Sequence, residues 1–180
     1  MKKILLTGLA ATTLCVSTFA DQGSLIGMQI GYSFNEIKAS GTKEEIGKGL
    51  YINYDILGVN ASRSGFGYGL GFDINTWNPG NTSGVSHGQG MYTMAGTAKI
   101  GYTFEEQYNI PFKLKGGVGY GILDIGVHDA WGLHYEGSIE YTFYKGAGIG
   151  AKYKHAEATM LNHEISIDSA IAFISFGVGK

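Results

Sequence analysis

Cysteine and proline are almost missing from this chain: one cysteine, Cys15, and two prolines occur in 180 residues. The cysteine lies in a leader-like amino end, so the remainder has no thiol and cannot be held by disulfides. Few prolines beside 30 glycines and 13% aromatics exclude a linker-like or disordered glycine-rich chain, which normally carries proline and few aromatics. Collagen triplets, heptads and long charge runs are absent, and after residue 20 no apolar stretch is long enough for a transmembrane helix. Thirteen basic residues against fifteen acidic ones give no basic excess, which argues against a nucleic-acid partner.

The amino end has the order of a secretory signal peptide. Lys2 and Lys3 precede an apolar run from Ile4 to Val16, and Thr18-Phe19-Ala20 offers a small-x-small cleavage site. The run is too short to span a bilayer. Leu14, where a lipoprotein needs a small residue, excludes lipidation at Cys15. The expected organisation is a leader over residues 1–20 and one domain over residues 21–180, with 13 − 2 = 11 basic and 15 acidic residues, a net charge of −4.

What the chain does have is alternation. In GFGYGLGFDIN, residues 65–75, Phe66, Tyr68, Leu70, Phe72 and Ile74 are interleaved with glycines and one aspartate. Apolar residues recur at two rather than at three and four, the period of a strand. The same signature appears eight times: Ile26 to Phe34, Leu50 to Ile56, the stretch just quoted, Tyr92 to Phe104, Phe112 to Ile122, Leu133 to Phe143, Ala147 to Tyr153, and an eighth segment, Ile167 to Val178, that is apolar on both faces with no clear register. Across the first seven the apolar face carries no charge, while Lys99, Lys113, Lys115, Glu136, Glu140, Lys152 and Lys154 all fall on the other face. Water does not require that purity; lipid does. Segments of about ten alternating residues, even in number and behind an export signal, predict an all-β fold, an eight-stranded antiparallel up-and-down transmembrane β-barrel.

A barrel of eight strands is so narrow that side chains just fill it, so many inward positions must be small, which accounts for Gly65, Gly67, Gly69 and Gly71. The odd connections (35–47, 78–90, 124–131 and about 159–166) are on average longer than the even ones (58–64, 105–111 and 144–146), which places the odd ones outside the cell. Phe66, Tyr102, Phe104, Phe112, Tyr141, Phe143 and Phe176 then mark one lipid interface, Tyr32, Phe34, Tyr92 and Tyr135 the other, with Phe72 in lipid between them. With the sixth turn centred near Gly146, Glu140 is expected opposite Lys152, with Lys113 or Lys115 approaching from the other side, so that opposite charges meet inside and the lumen is a polar plug.

With this pattern, and with strands such as KLKGGVGYG (113–121) and KGAGIGAKYKH (145–155), the chain resembles the small outer-membrane β-barrel proteins, the eight-stranded class that includes the OmpA membrane domain, OmpX and the opacity-type surface proteins. The resemblance covers all of residues 21–180 and implies outer-membrane lipid, lipopolysaccharide and the outer-membrane assembly machinery as partners, a monomer, no cofactor, and a surface or envelope-structural role. Porin-like conduction through a narrow channel is one alternative. Another is lipid modification: deacylases of this fold use His-x-Ser with a later acid, and His155-Ala156-Glu157 with Asp168 lies in a comparable region but lacks the nucleophile. Ser86-His87 with His128-Asp129 resembles the rim residues of palmitoyltransferase-like barrels, a pairing that arises easily by chance in polar loops. No enzyme is expected. His87, His128, His134, His155 and His163 lack compact ligand spacing, so no metal site is expected, and they read as solvated histidines of the outer half and its loops. Asn60-Ala61-Ser62 and Asn81-Thr82-Ser83 match the glycosylation sequon, to which a bacterial barrel gives little meaning.

Overall fold

The computed structural model describes residues 25–39, 42–57, 65–77, 90–104, 111–126, 128–144 and 147–178. The leader, both sequons and Ser86-His87 lie outside the described residues. Eight strands follow in order: β1 (Leu25–Ala39), β2 (Thr42–Leu57), β3 (Phe66–Trp77), β4 (Met91–Thr103), β5 (Phe112–Asp124), β6 (Asp129–Tyr144), β7 (Ala147–Met160) and β8 (His163–Val178). Each pairs antiparallel with its sequence neighbours, and β1 closes on β8 from Ile26↔Val178 to Ala39↔Ile165. This is the eight-stranded antiparallel barrel that the alternation predicts. Closure pairs every strand on both edges, as a bilayer without water requires.

The strands run past the boundaries read from the sequence. A bilayer needs about 9–11 residues of tilted strand, whereas β1 has 15, β2 has 16 and β6 has 16. The excess lies at the end opposite the termini, hereafter the far end. There the stretch expected as a 35–47 loop is mostly paired strand, with a register shift between Asn35 and Glu36 and Gly47 at φ 119°. The stretch expected as a loop near 159–166 is a two-residue turn, Leu161 and Asn162 at φ 49° and 68°, the left-handed pair that matches strand twist in tight hairpins. Polar composition there signals an exposed hairpin rather than a loop.

Those extensions invert the barrel's polarity. Nearer the termini, outward residues are apolar and exposed, among them Phe66, Tyr68, Leu70, Leu114, Ile139, Phe143, Ile149 and Phe176. Tyr102 and Phe104 (4.8 Å between ring centroids) and Phe112 and Tyr141 (5.3 Å) form edge-to-face pairs there. Moving along β1, the outward face is apolar through Phe34 and then becomes Glu36 and Lys38; on β7 it passes from Tyr153 to His155 and Glu157, and on β8 from Ala170 to Asp168. Over the same distance the interior changes the opposite way. At the far end it holds an apolar cluster of Trp77, Met91, Leu123, Ala156, Ala158, Met160, Ile165 and Ile167. Apolar outside with polar inside is the arrangement for lipid, and polar outside with apolar inside is the arrangement for water. The row through Tyr135, His155, Asp168 and Glu36 marks the change.

The eighth strand is explained by the same inversion. Ile165, Ile167, Ile171 and Phe173 are buried in the interior, whereas Ala170, Ala172, Ile174 and Phe176 are exposed on the outer face. It is apolar on both faces because its inner face fills the lumen with carbon.

Candidate functional site: a closed, ion-paired lumen

The glycine-rich strands give the interior its space. Lys99, on β4, is 2% exposed and extends along the barrel wall over Gly71 on β3 and Gly117 on β5. A Cβ on Gly71 would fall on the end of the Lys99 chain, and one on Gly117 would stand 3.2 Å from Lys99 Cγ and 3.1 Å from Glu136 Cγ. The bare face of GFGYGLGF therefore accommodates a lysine reaching over it. Gly150 similarly leaves room for the ring of Phe173.

Three polar layers succeed one another from the terminal end. At the mouth, Lys115 Nζ lies 3.3 Å from Asp55 Oδ2 and 3.1 Å from Glu140 Oε2, and Lys113 Nζ lies 3.8 Å from Glu140 Oε1. Ser175 Oγ donates to Glu140 at 2.8 Å. A small cavity opens here, with Gln29, Asp55, Lys113, Lys115 and Glu140 in its wall. In the second layer Lys99 Nζ sits 2.6 Å from Asp55 Oδ1 and 2.6 Å from Glu136 Oε1, and donates to Asn53 Oδ1 at 2.8 Å. Lys152 Nζ lies 3.2 Å from Glu136 Oε2, donates to the Tyr51 hydroxyl at 2.5 Å and stands 4.9 Å from the centre of its ring. In the third, Lys154 pairs with Asp73 and donates to Thr93 Oγ1 at 3.2 Å. Beside it Asn75 donates to Asn35 at 2.8 Å, and Ser33 and Ser169 donate to Asn75 and Asn35, each at 2.7 Å.

The apolar cluster closes the far end above these layers, with Ile37, Ala39, Ile125 and Ala130 packed against it. Buried charges in such an interior are stable only when paired and hydrogen-bonded, and each of the four acids here has a lysine.

All seven lumen residues singled out in the sequence, Lys99, Lys113, Lys115, Glu136, Glu140, Lys152 and Lys154, take part in these contacts. The expected Glu140–Lys152 pairing does not form. The β6–β7 pairing starts at Tyr144↔Ala147, one residue off a turn centred on Gly146, and the irregularity between Thr142 and Tyr144 shifts it by one more, so Glu140 lies opposite Gly150 while Lys152 lies opposite Ser138. Glu140 is held instead by Lys113 and Lys115, and Lys152 by Glu136. Asp55 and Asp73 complete the pairing and were not singled out in the sequence; their places beside Tyr54 and Ile56, and Phe72 and Ile74, are the signal. The outward aromatics Phe66, Phe112, Tyr141 and Phe143 are exposed, and Phe72, Tyr102 and Phe104 half-buried, on the outer wall.

The histidines separate. His128 and His163 are exposed at strand starts. His134, read from sequence as a solvated residue, is 1% exposed inside the barrel, on the inner face of β6 between Gly119 of β5 and Ala156 of β7. His155 faces outward, with Nδ1 2.7 Å from Asp168 Oδ1 and Nε2 3.6 Å from Glu157 Oε2. Tyr153 donates to Asp168 at 2.5 Å and Tyr135 to Glu157 at 3.3 Å. Both ring nitrogens of His155 thus face carboxylates, a clasp across β7 and β8 at the level where polarity changes. Among the described residues no group of three or more His, Cys, Asp or Glu side chains is placed to hold a metal.

No protein-family model matches the chain, and no curated protein matches it by sequence. Solved structures match it by shape. The attachment invasion locus protein Ail of Yersinia pestis superposes with a TM-score of 0.56 at 16% identity, over 86% of this chain and 99% of that one. Neisserial surface protein A superposes with a TM-score of 0.53 at 15% identity, over 86% of this chain and 97% of its own. With its closed antiparallel topology and lipid-type exterior, the chain has the fold of the small eight-stranded outer-membrane β-barrel proteins.

Proposed function

We propose that this chain is an exported outer-membrane protein, monomeric, with a closed lumen and a surface or envelope-structural role. The observation that carries the reading is the continuous filling of the barrel, from the paired charges Lys99, Glu136 and Lys152 to the apolar cluster around Trp77 and Met160. A solute path would have to break either ion pairs or a packed core.

The far end faces the cell exterior in this reading. Its charged outer walls and apolar interior suit water, and the leader over residues 1–20 supplies export. Lipopolysaccharide and outer-membrane lipid surround the apolar wall, and the assembly machinery inserts the barrel. A non-enzymatic role fits the surroundings of His155, which has carboxylates at both nitrogens where acyl transfer needs a nucleophile at one. Labelling on intact cells tests orientation. With Cys15 removed alongside the leader, a membrane-impermeant maleimide should label Lys43→Cys, at the exposed far end, and should leave Lys113→Cys, at the terminal mouth, untouched until the outer membrane is broken. The reverse pattern overturns the orientation.

A further inference from the structure

A cleft opens on the outer wall where β6 and β7 part at the far end. Their pairing stops at Gly132↔Ala158, while β6 continues against β5 to Asp129↔Asp124 and β7 continues against β8 to Met160↔His163. The cleft has a volume of about 790 Å³, within the range of small-ligand sites. Its two sides differ in chemistry. The β5–β6 side presents Tyr120, Trp131 and Leu133. Tyr120 and Trp131 are 57% and 58% exposed, and their rings stack at 5.7 Å with planes 20° apart. The other side presents Glu157, Thr159, Glu164, Ser166 and Lys38. Register produces this division: Tyr120 lies opposite Leu133, Leu133 opposite Glu157, Glu157 opposite Ser166 and Ser166 opposite Lys38, so one outward row crosses from carbon to charge.

Lipid does not account for the aromatic pair, because three charged side chains share its cleft and hydrocarbon does not tolerate them. The carboxylates there are available as acceptors. Glu157 is held in place, with Oε1 accepting from the Tyr135 hydroxyl at 3.3 Å and Oε2 3.6 Å from His155 Nε2. Each of its oxygens keeps a lone pair free. Glu164 is exposed and has no hydrogen-bond or ion-pair partner among the described residues.

We infer that this cleft binds a saccharide, a pyranose ring free of sulfate, phosphate and carboxylate groups, with its C–H face on Trp131 and its hydroxyls toward Glu157 and Glu164. A pyranose has an apolar face and a hydroxyl rim, the same division that the cleft shows. Laying the C–H face on an exposed aromatic ring removes both from water, and hydroxyls that donate to carboxylates form the stronger, charge-assisted class of hydrogen bond. Anionic sugars do not suit the site. Lys38 is its one lysine against two carboxylates, and His155 is already faced by Asp168 and Glu157. An acyl chain would strip water from Glu157 and Glu164 and give nothing back. The inference deepens the surface role proposed above by naming the chemistry of the partner, and it rests on the far end lying outside the cell. Two sources supply such rings there: the sugars of the surrounding lipopolysaccharide, and a glycan on another cell.

Trp131 is itself the reporter, because Trp77 is the only other tryptophan. The experiment uses the Trp77→Phe barrel in phospholipid nanodiscs, where both ends are open to solution. Oligosaccharides of glucose, galactose, mannose and N-acetylglucosamine are titrated to about 50 mM, a range that reaches millimolar affinities, beside a sulfated heparin disaccharide and a hexapeptide of alternating threonine and valine. The expected result is a saturating blue shift of Trp131 emission with at least one neutral oligosaccharide, at least tenfold tighter than with the sulfated sugar or the peptide. Glu164→Ala, which removes no contact within the protein, should weaken that binding about tenfold and leave the unfolding transition in place. Trp131→Ala should abolish the saturation-transfer NMR signal of the bound sugar. Failure of all four oligosaccharides to saturate, tighter binding of the sulfated sugar or the peptide, or unchanged affinity in Glu164→Ala overturns the inference. Nanodiscs containing lipopolysaccharide separate the sources: Trp131 emission already shifted, with added sugar no longer bound, assigns the cleft to the membrane's own sugars, and undiminished binding assigns it to another cell's glycan. A failure in nanodiscs removes the sugar site and leaves the orientation standing, since maleimide labelling tests that separately.

Discussion

Replacing Glu136 with alanine is the perturbation that most strains the lumen network. Its carboxylate is shared, 2.6 Å from Lys99 and 3.2 Å from Lys152, and its side chain is 3% exposed. The two lysines lose unequally. Lys99 keeps Asp55 at 2.6 Å and the Asn53 carbonyl at 2.8 Å, whereas Lys152 keeps only the Tyr51 hydroxyl and ring. A buried cation left without its anion costs about 3–5 kcal/mol, and Lys152 is the cation so left. Glu136→Ala should therefore lower stability by about that amount, read from urea unfolding of the barrel refolded into lipid vesicles. Adding Lys152→Met removes the orphaned charge while keeping the volume, and should return about 1–3 kcal/mol of the loss as a coupling energy. The matched control is Glu140→Ala with Lys152→Met: these residues share no contact, so their effects should add within about 0.5 kcal/mol. A loss below about 1 kcal/mol for Glu136→Ala, or coupling as large in the control, refutes the pairing described here.

The outer wall and the small inward positions make their own predictions. Phe72→Arg sets a charge against lipid and should cost about 2–4 kcal/mol if Phe72 lies near the midplane, less near an interface; normal folding in vesicles contradicts the facing assigned to β3. Gly71→Leu overfills the space taken by Lys99 and should cost about 1–3 kcal/mol, with part recovered in a Lys99→Ala background; an equal cost in both backgrounds shows that the clash lies elsewhere. Mass spectrometry of membrane-extracted protein should find Asp21 as the first residue, and an intact Met1 start contradicts export by cleavage after Ala20.

How much of this was legible in the sequence depends on which solvent each residue meets. Strand number, order and facing followed from period-two alternation, because lipid punishes any charge on the outer face and so leaves a clean pattern. The far end was harder to read. There the solvent changes from lipid to water while the strand continues, so Glu36 and Lys38 look like loop residues although their backbones are paired. Ile165 and Ile167 blur the face assignment of β8 for the same reason. Lysines and acids were readable as inward residues, but their partners were not. Partner choice depends on register, and the Tyr144↔Ala147 start of the β6–β7 pairing together with one irregularity at Thr142 set Glu140 opposite Gly150 rather than Lys152. Asp73 with Lys154 is a contact between β3 and β7 across the barrel, which no spacing along the chain encodes. His134 carried the sign of its inner face in the alternation, yet its burial beside Ala156 is set by the register of β6 against β5 and β7.

A filled, ion-paired lumen is the centre of the account, and single-channel recording of the purified wild-type barrel in a planar bilayer at neutral pH tests it most directly. The packing of Lys99, Glu136 and Lys152 beneath the cluster of Trp77, Met91 and Met160 predicts a flat baseline without steady openings. A large, stable unitary current would contradict it.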